Sequence, residues 1–123
     1  MLFRSRQGGK IENADGKKGE KECWGQPSNW VDYVGSVEGK TKGVALFDHP
    51  RNFRPSRFHV RDYGLFTVSP FGPNAYTNGQ LPADPVSMTA GQSLRLRYAL
   101  FVHDGETNAA ELKGLHEKFS QGD

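Results

Sequence analysis

The stretch Gln92-Ser93-Leu94-Arg95-Leu96-Arg97-Tyr98-Ala99-Leu100-Phe101-Val102-His103 alternates with period two. Leu94, Leu96, Tyr98, Leu100 and Val102 point one way; Arg95, Arg97, Ala99, Phe101 and His103 point the other, as side chains on a β-strand do. Fully extended, the segment would span about 40 Å, which predicts a long strand at the centre of its sheet.

Working outward, the same period recurs. Residues 30–34 set Trp30, Asp32 and Val34 against Val31 and Tyr33, and residues 43–49 set Val44, Leu46 and Asp48 against Ala45, Phe47 and His49. Val37-Glu38-Gly39-Lys40 between them reads as a turn, so residues 30–49 are expected to form a hairpin. Residues 20–24, 57–61 and 64–69 read as further short strands. Residues 49–56 hold two Pro and two Arg and cannot be a central strand. Residues 70–85 form a long loop rich in Pro, Gly and Asn, of the kind that carries function or moves. Residues 9–20 read as a mobile lead-in with turns at Asp15-Gly16 and Lys18-Gly19.

At the C-terminus the period changes to 3.6. Ala109, Leu112, Leu115, His116 and Phe119 share one helical stripe, and Asn108 with Glu111 resembles a capping box. An amphipathic helix over about residues 108–120 follows, laid on the sheet or on another chain. The fold class expected is mostly β: an antiparallel β-sandwich, part of a larger sandwich, with one C-terminal amphipathic helix. Residues 9–123 form a single domain, expected to be the C-terminal part of a longer one. Residues 1–8 are basic and aperiodic, and Leu2-Phe3-Arg4-Ser5 matches the translation of a common sequencing-adapter string. A disordered or non-native leader is expected there.

Composition bounds the function. The chain has 123 residues, 35% hydrophobic and 24% charged, with 15 Gly and 7 Pro, which suits one domain of short elements and many turns. A net charge of +2 dictates neither a nucleic-acid field nor a trap for acidic ligands. Arg51, Arg54, Arg57 and Arg61, interleaved with Phe53 and Phe58, imitate a nucleic-acid patch, but the balanced charge and the prolines argue for an ordered loop; no nucleic acid is expected. No apolar run approaches the ~18 residues of a membrane span, so no membrane partner is expected. The single Cys23 excludes a disulfide framework and a multi-cysteine zinc site.

Two constellations could carry chemistry. Asp48-His49-Pro50 is followed by His59-Val60-Arg61-Asp62-Tyr63, in which Phe58 and Val60 face the core and His59, Arg61 and Tyr63 the other side. His49 or His59 could act as acid or base, with Asp48 beside them and Arg61 holding developing negative charge. Asp62, Tyr63 and, at the end of the long strand, His103 would contact substrate at the same sheet edge. The plainer reading is a polar strand face in which Asp62 satisfies Arg61 or a turn amide and His103 caps its turn. Separately, Trp30 and Asp32 share a strand face, and an indole beside a carboxylate can hold a sugar ring by stacking and hydrogen bonding; the alternative is a core Trp and an edge Asp. His116 reads as a packed histidine. No metal-binding spacing fixes a coordination geometry, and no P-loop or dinucleotide fingerprint is present, so neither metal nor cofactor is expected.

Trp30-Val31-Asp32-Tyr33, Gly39-Lys40-Thr41, the run from Gly43 to Pro50, the run from Phe58 to Phe66 and Ser69-Pro70-Phe71-Gly72 together resemble the bacterial family called methane oxygenase PmoA. The likeness covers roughly residues 9–119, and members of that family are longer, which implies a missing N-terminal half. A membrane subunit of a methane monooxygenase needs transmembrane helices, and this chain offers none, so methane oxidation is not expected. The resemblance implies a sandwich similar to aldose mutarotases and a carbohydrate ligand, but no agreed site residues. The chain departs from the family at Val34 and Ser36, where Ser and Pro are usual. The expected function is carbohydrate binding or processing through the Trp/Asp/His/Arg cluster; the alternative is a noncatalytic protein-interaction module using the long loop and the C-terminal helix. A homo-oligomer is a further possible partner state.

Overall fold

The computed structural model describes residues 9–122; the leader expected at residues 1–8 lies outside the described residues. Its architecture is mostly antiparallel β, two sheets with a C-terminal helix. One sheet has the order β1 (Lys10–Asn13), β2 (Trp30–Val37), β3 (Lys40–Asp48) and β6 (Tyr98–Asp104); the other pairs β4 (Arg57–Val60) with β5 (Phe66–Ser69). Helices α1 (Gly19–Cys23), α2 (Pro73–Tyr76) and α3 (Ala109–Gln121) complete it.

The β2–β3 hairpin forms as expected, in register from Trp30↔Phe47 to Val37↔Lys40. Its two-residue turn has positive φ at both Glu38 (51°) and Gly39 (76°). A turn of this kind matches the right-handed twist of the strands, and Gly39 adopts it without strain. Alternation then sends side chains to two different cores. Ile11, Val31, Tyr33, Val44 and Leu46 pack against Phe58, Val60 and Phe66 of the second sheet. Trp30, Ala45 and Phe47 face the opposite way and are covered by Leu112, Leu115 and Phe119 of α3. Asn108 caps α3, its Oδ1 accepting from the Glu111 amide at 2.8 Å. The helical stripe is therefore laid on the chain's own sheet.

Three expectations about elements are corrected. Residues 10–13, read as part of a mobile lead-in, form strand β1, paired along β2 from Lys10↔Val34 to Asn13↔Val31. Residues 20–24, read as a strand, lie mostly in α1: Glu20 and Glu22 fall in the first turn, where carboxylates favour a helix N-terminus, and Cys23 is the buried residue. The long central strand is instead a seven-residue strand at the sheet edge.

The reason is visible at its start. Tyr98 pairs with Asp48, the last residue of β3, and beyond it the partner strand ends. Asn52 takes over, with Oδ1 accepting from the Arg97 amide (2.7 Å) and Nδ2 donating to the Arg97 carbonyl (2.9 Å). Residues 92–97 consequently have no ladder. Leu100 and Val102, read on one face with Tyr98, are 58% and 71% exposed; of β6 only Tyr98 packs against the core that β4 and β5 cover. The expected loop at residues 70–85 holds only α2 and continues without regular structure to residue 97.

Candidate functional site

Strand alternation assembles the best-formed polar site on the α3 side of the larger sheet. Asp32 on β2 lies opposite both Glu12 on β1 and Ala45 on β3. His103 on β6 lies opposite Gly43, so its ring reaches over β3 to Asp32, with Nε2 2.8 Å from Oδ1. The other ring nitrogen, Nδ1, is 2.9 Å from the Gly105 carbonyl. A carbonyl only accepts, so Nδ1 carries a proton, and a hydrogen bond between Nε2 and Asp32 then needs a second. The pair therefore holds one exchangeable proton, as imidazolium with carboxylate or as imidazole with carboxylic acid. Phe101 stacks on the imidazole at 5.5 Å, and both polar partners are over nine-tenths buried. Burial pushes the Asp32 carboxyl above the ordinary carboxylate value; the hydrogen bond from His103 opposes this, and the Glu12 charge adds to it.

Beside this pair lies a cleft of about 240 Å³, between the β1–β2 edge and the first turn of α3. Trp30 and Asp32 line it from β2, Glu12 from β1, and Thr107 and Asn108 from the approach to the helix. The Trp30 indole is 5% exposed and leans on Phe47 and His116, so it forms part of the wall rather than an open stacking platform. Lys10 and Glu106, an exposed ion pair at 3.2 Å, line a separate and smaller cavity that shares Glu12, Asp32 and Thr107 with the cleft.

The remaining residues singled out from the sequence fall into two other places. Asp48 ends β3 and His49 follows it; both are buried. The Asp48 carboxylate accepts from Asn52 Nδ2 (2.8 Å), the Ser56 amide (2.8 Å) and Ser56 Oγ (3.1 Å). His49 accepts the Arg51 amide at Nδ1, which leaves its proton on Nε2, 3.2 Å from the Gly122 carbonyl; its ring packs edge-on against Phe119. His116, read as a packed histidine, lies among Trp30, Phe47 and Phe119 with Nε2 2.9 Å from the Asp48 carbonyl.

The third group gathers on α1. The Arg61 guanidinium lies 5.0 Å over the Trp24 ring and pairs with Glu20 at 2.6 Å. The second Glu20 oxygen accepts the Asp62 amide, and these two donors hold the Glu20 carboxyl below its usual range. His59 meets Trp24 and Tyr76 edge to face. Burial, then the Arg61 charge, lowers its pKa, and Glu20 opposes them. Tyr63 stands 60% exposed. The single sheet edge expected to gather His49, His59 and His103 is thus not formed: the three histidines belong to three separate surroundings. Trp30, Asp32 and His103 come together at the cleft, where Glu12 and Thr107, unnoticed in the sequence, join them with Asn108, which the sequence marked only as a helix cap.

Among the described residues no group of three or more His, Cys, Asp or Glu side chains is arranged to hold a metal ion, and no helix is long and apolar enough to cross a membrane. Cys23 is buried, and burial pushes its thiol up to about 11, so it stays protonated.

No curated protein and no solved structure matches the chain. A family model does, over residues 2–117, so the chain belongs to a family of unknown function, DUF6807.

Proposed function

We propose that this protein binds a single sugar ring in the cleft beside Asp32. The observation that carries the reading is that Trp30 and Asp32, on one face of β2, line the same cleft as Glu12, Thr107 and Asn108. Sugar hydroxyls are donors and acceptors at once, and two carboxylates with a hydroxyl and an amide meet them on both counts. About 240 Å³ falls below the usual range for larger ligands, roughly 300–1,000 Å³, which favours one ring over an oligosaccharide. The proton held between Asp32 and His103 suits exchange with a ring hydroxyl or ring oxygen, as acid–base work on a sugar requires. The resemblance to the methane oxygenase PmoA family, with its mutarotase-like sandwich, supports a carbohydrate by association.

The test is a titration of neutral hexoses, neutral pentoses and a uronic acid, followed through backbone amide resonances. Neutral sugars should shift Asp32, Thr107 and Asn108 at millimolar concentration. Glu12→Gln, at the half-buried wall of the cleft, should weaken that response without unfolding the sheet. Unmoved resonances around Asp32 across the whole panel would end this reading.

A further inference from the structure

We propose a second binding site, for a small aromatic anion, in the cavity between the β4–β5 pair and the proline-rich loop. This cavity holds about 460 Å³, within the roughly 300–1,000 Å³ usual for small-molecule sites, and shares no lining residue with the Asp32 cleft. Its walls divide by chemistry. Phe71 and Leu81 line one part, 41% and 39% exposed, and proline rings from residues 27, 55, 70, 73 and 82 surround them. Proline fixes its own φ, so such walls are largely preformed and little ordering is charged against binding.

The polar part is cationic. Arg57 and Ser69 are directly opposite in the β4–β5 register and both line the cavity. Arg57 donates Nη1 to the Gly25 carbonyl at 2.8 Å and has no carboxylate partner among the described residues. Arg54 pairs with Asp84, also in the lining, yet its Nε is buried without a partner. Ser69 Oγ accepts the Phe71 amide at 3.1 Å and keeps its own proton to donate. Two guanidinium groups against one carboxylate leave net positive charge beside an apolar wall. A flat ring bearing one carboxylate or sulfonate complements both halves, and the planar fork of arginine matches that anion.

The probe is 8-anilinonaphthalene-1-sulfonate, titrated into the whole chain and read by fluorescence, with benzoate as competitor. Saturable enhancement displaced by benzoate is expected, weakened about tenfold by Arg57→Met and abolished by Leu81→Asp. Leu100→Ser with Val102→Ser, on the exposed β6 edge, should leave it unchanged. Circular dichroism checks each variant, and Arg54→Met stands in if Arg57→Met fails to fold. No enhancement in the parent chain, or enhancement that survives the cavity variants, or enhancement lost with the β6 pair, overturns the proposal.

Discussion

The imidazole of His103 occupies the space that a side chain on Gly43 would need. A Cβ built on Gly43 would stand 2.1 Å from Cε1 of His103, well inside contact distance. Glycine at this strand position is what lets a ring on the edge strand cross β3 and meet Asp32 on β2; glycine inside a strand often marks such a close approach. Gly43→Ala is expected to displace the ring and leave Asp32 buried without its partner. The cost should be about 1–3 kcal/mol, that of an unsatisfied buried polar group. Chemical denaturation gives the energy, and imidazole nitrogen shifts of His103 report the lost hydrogen bond. Unchanged shifts would show that the ring does not depend on Gly43.

Leu112 is 3% exposed and packs with Trp30, Ala45 and Phe47. Leu112→Ala should destabilise the chain by about 2–5 kcal/mol in urea unfolding, the range for emptying a buried leucine site. If the stripe on α3 served another chain instead, the change would alter association and leave unfolding of the isolated chain nearly untouched. The packing against the sheet predicts the first outcome.

Alternation made the β2–β3 hairpin legible because both strands have partners along their whole length and a turn that only positive φ satisfies. The same signal overreached at Leu94 and Leu96. Period two says that a segment can be a strand, but a strand also needs a neighbour, and β3 stops at Asp48. Lys10-Ile11-Glu12-Asn13 was opaque for the opposite reason: with one buried apolar side chain, Ile11, it carries too little pattern to stand out between glycines. Trp30 and Asp32 were legible as a pair because spacing alone puts them on one face. Their partnership with His103 was not, since it depends on which strand flanks β3 and on the missing side chain of Gly43. His49 and His59 are close in sequence, yet residues 50–56 carry the chain from one sheet to the other and separate them.

His59 should leave a signature in the pH dependence of stability. Its folded-state pKa lies below the ordinary 6.5, chiefly through burial. As pH falls, the unfolded chain takes up this proton first. The stability His59 contributes is therefore complete above the ordinary value and is lost as pH drops through the folded one. The chain has four histidines, so the informative quantity is the difference between the parent and His59→Gln. Thermal midpoints of the two should converge as pH is lowered below about 6.5 relative to their separation at neutral pH. A separation independent of pH would mean that the imidazole is freely solvated.

Asp48 separates a chemical role from an architectural one. Its carboxylate is 7% exposed and collects three donors, from Asn52 Nδ2, the Ser56 amide and the Ser56 hydroxyl. Ser56 Oγ lies 2.9 Å from the Tyr98 hydroxyl, and Asn52 bonds both backbone groups of Arg97. Asp48 thus ties the segment leaving β3 to the start of β6. Asp48→Ala should leave buried donors unpaired and cost about 1–3 kcal/mol per group in unfolding free energy. Amides of Asn52, Ser56 and Arg97 should then exchange faster with solvent, because the loop opens locally before the sheet does. Asp48→Asn keeps one acceptor and should fall between the two. A carboxylate held for chemistry rather than architecture would give the opposite pattern: Asp48→Ala would fold as stably as the parent, with the exchange of those amides unchanged.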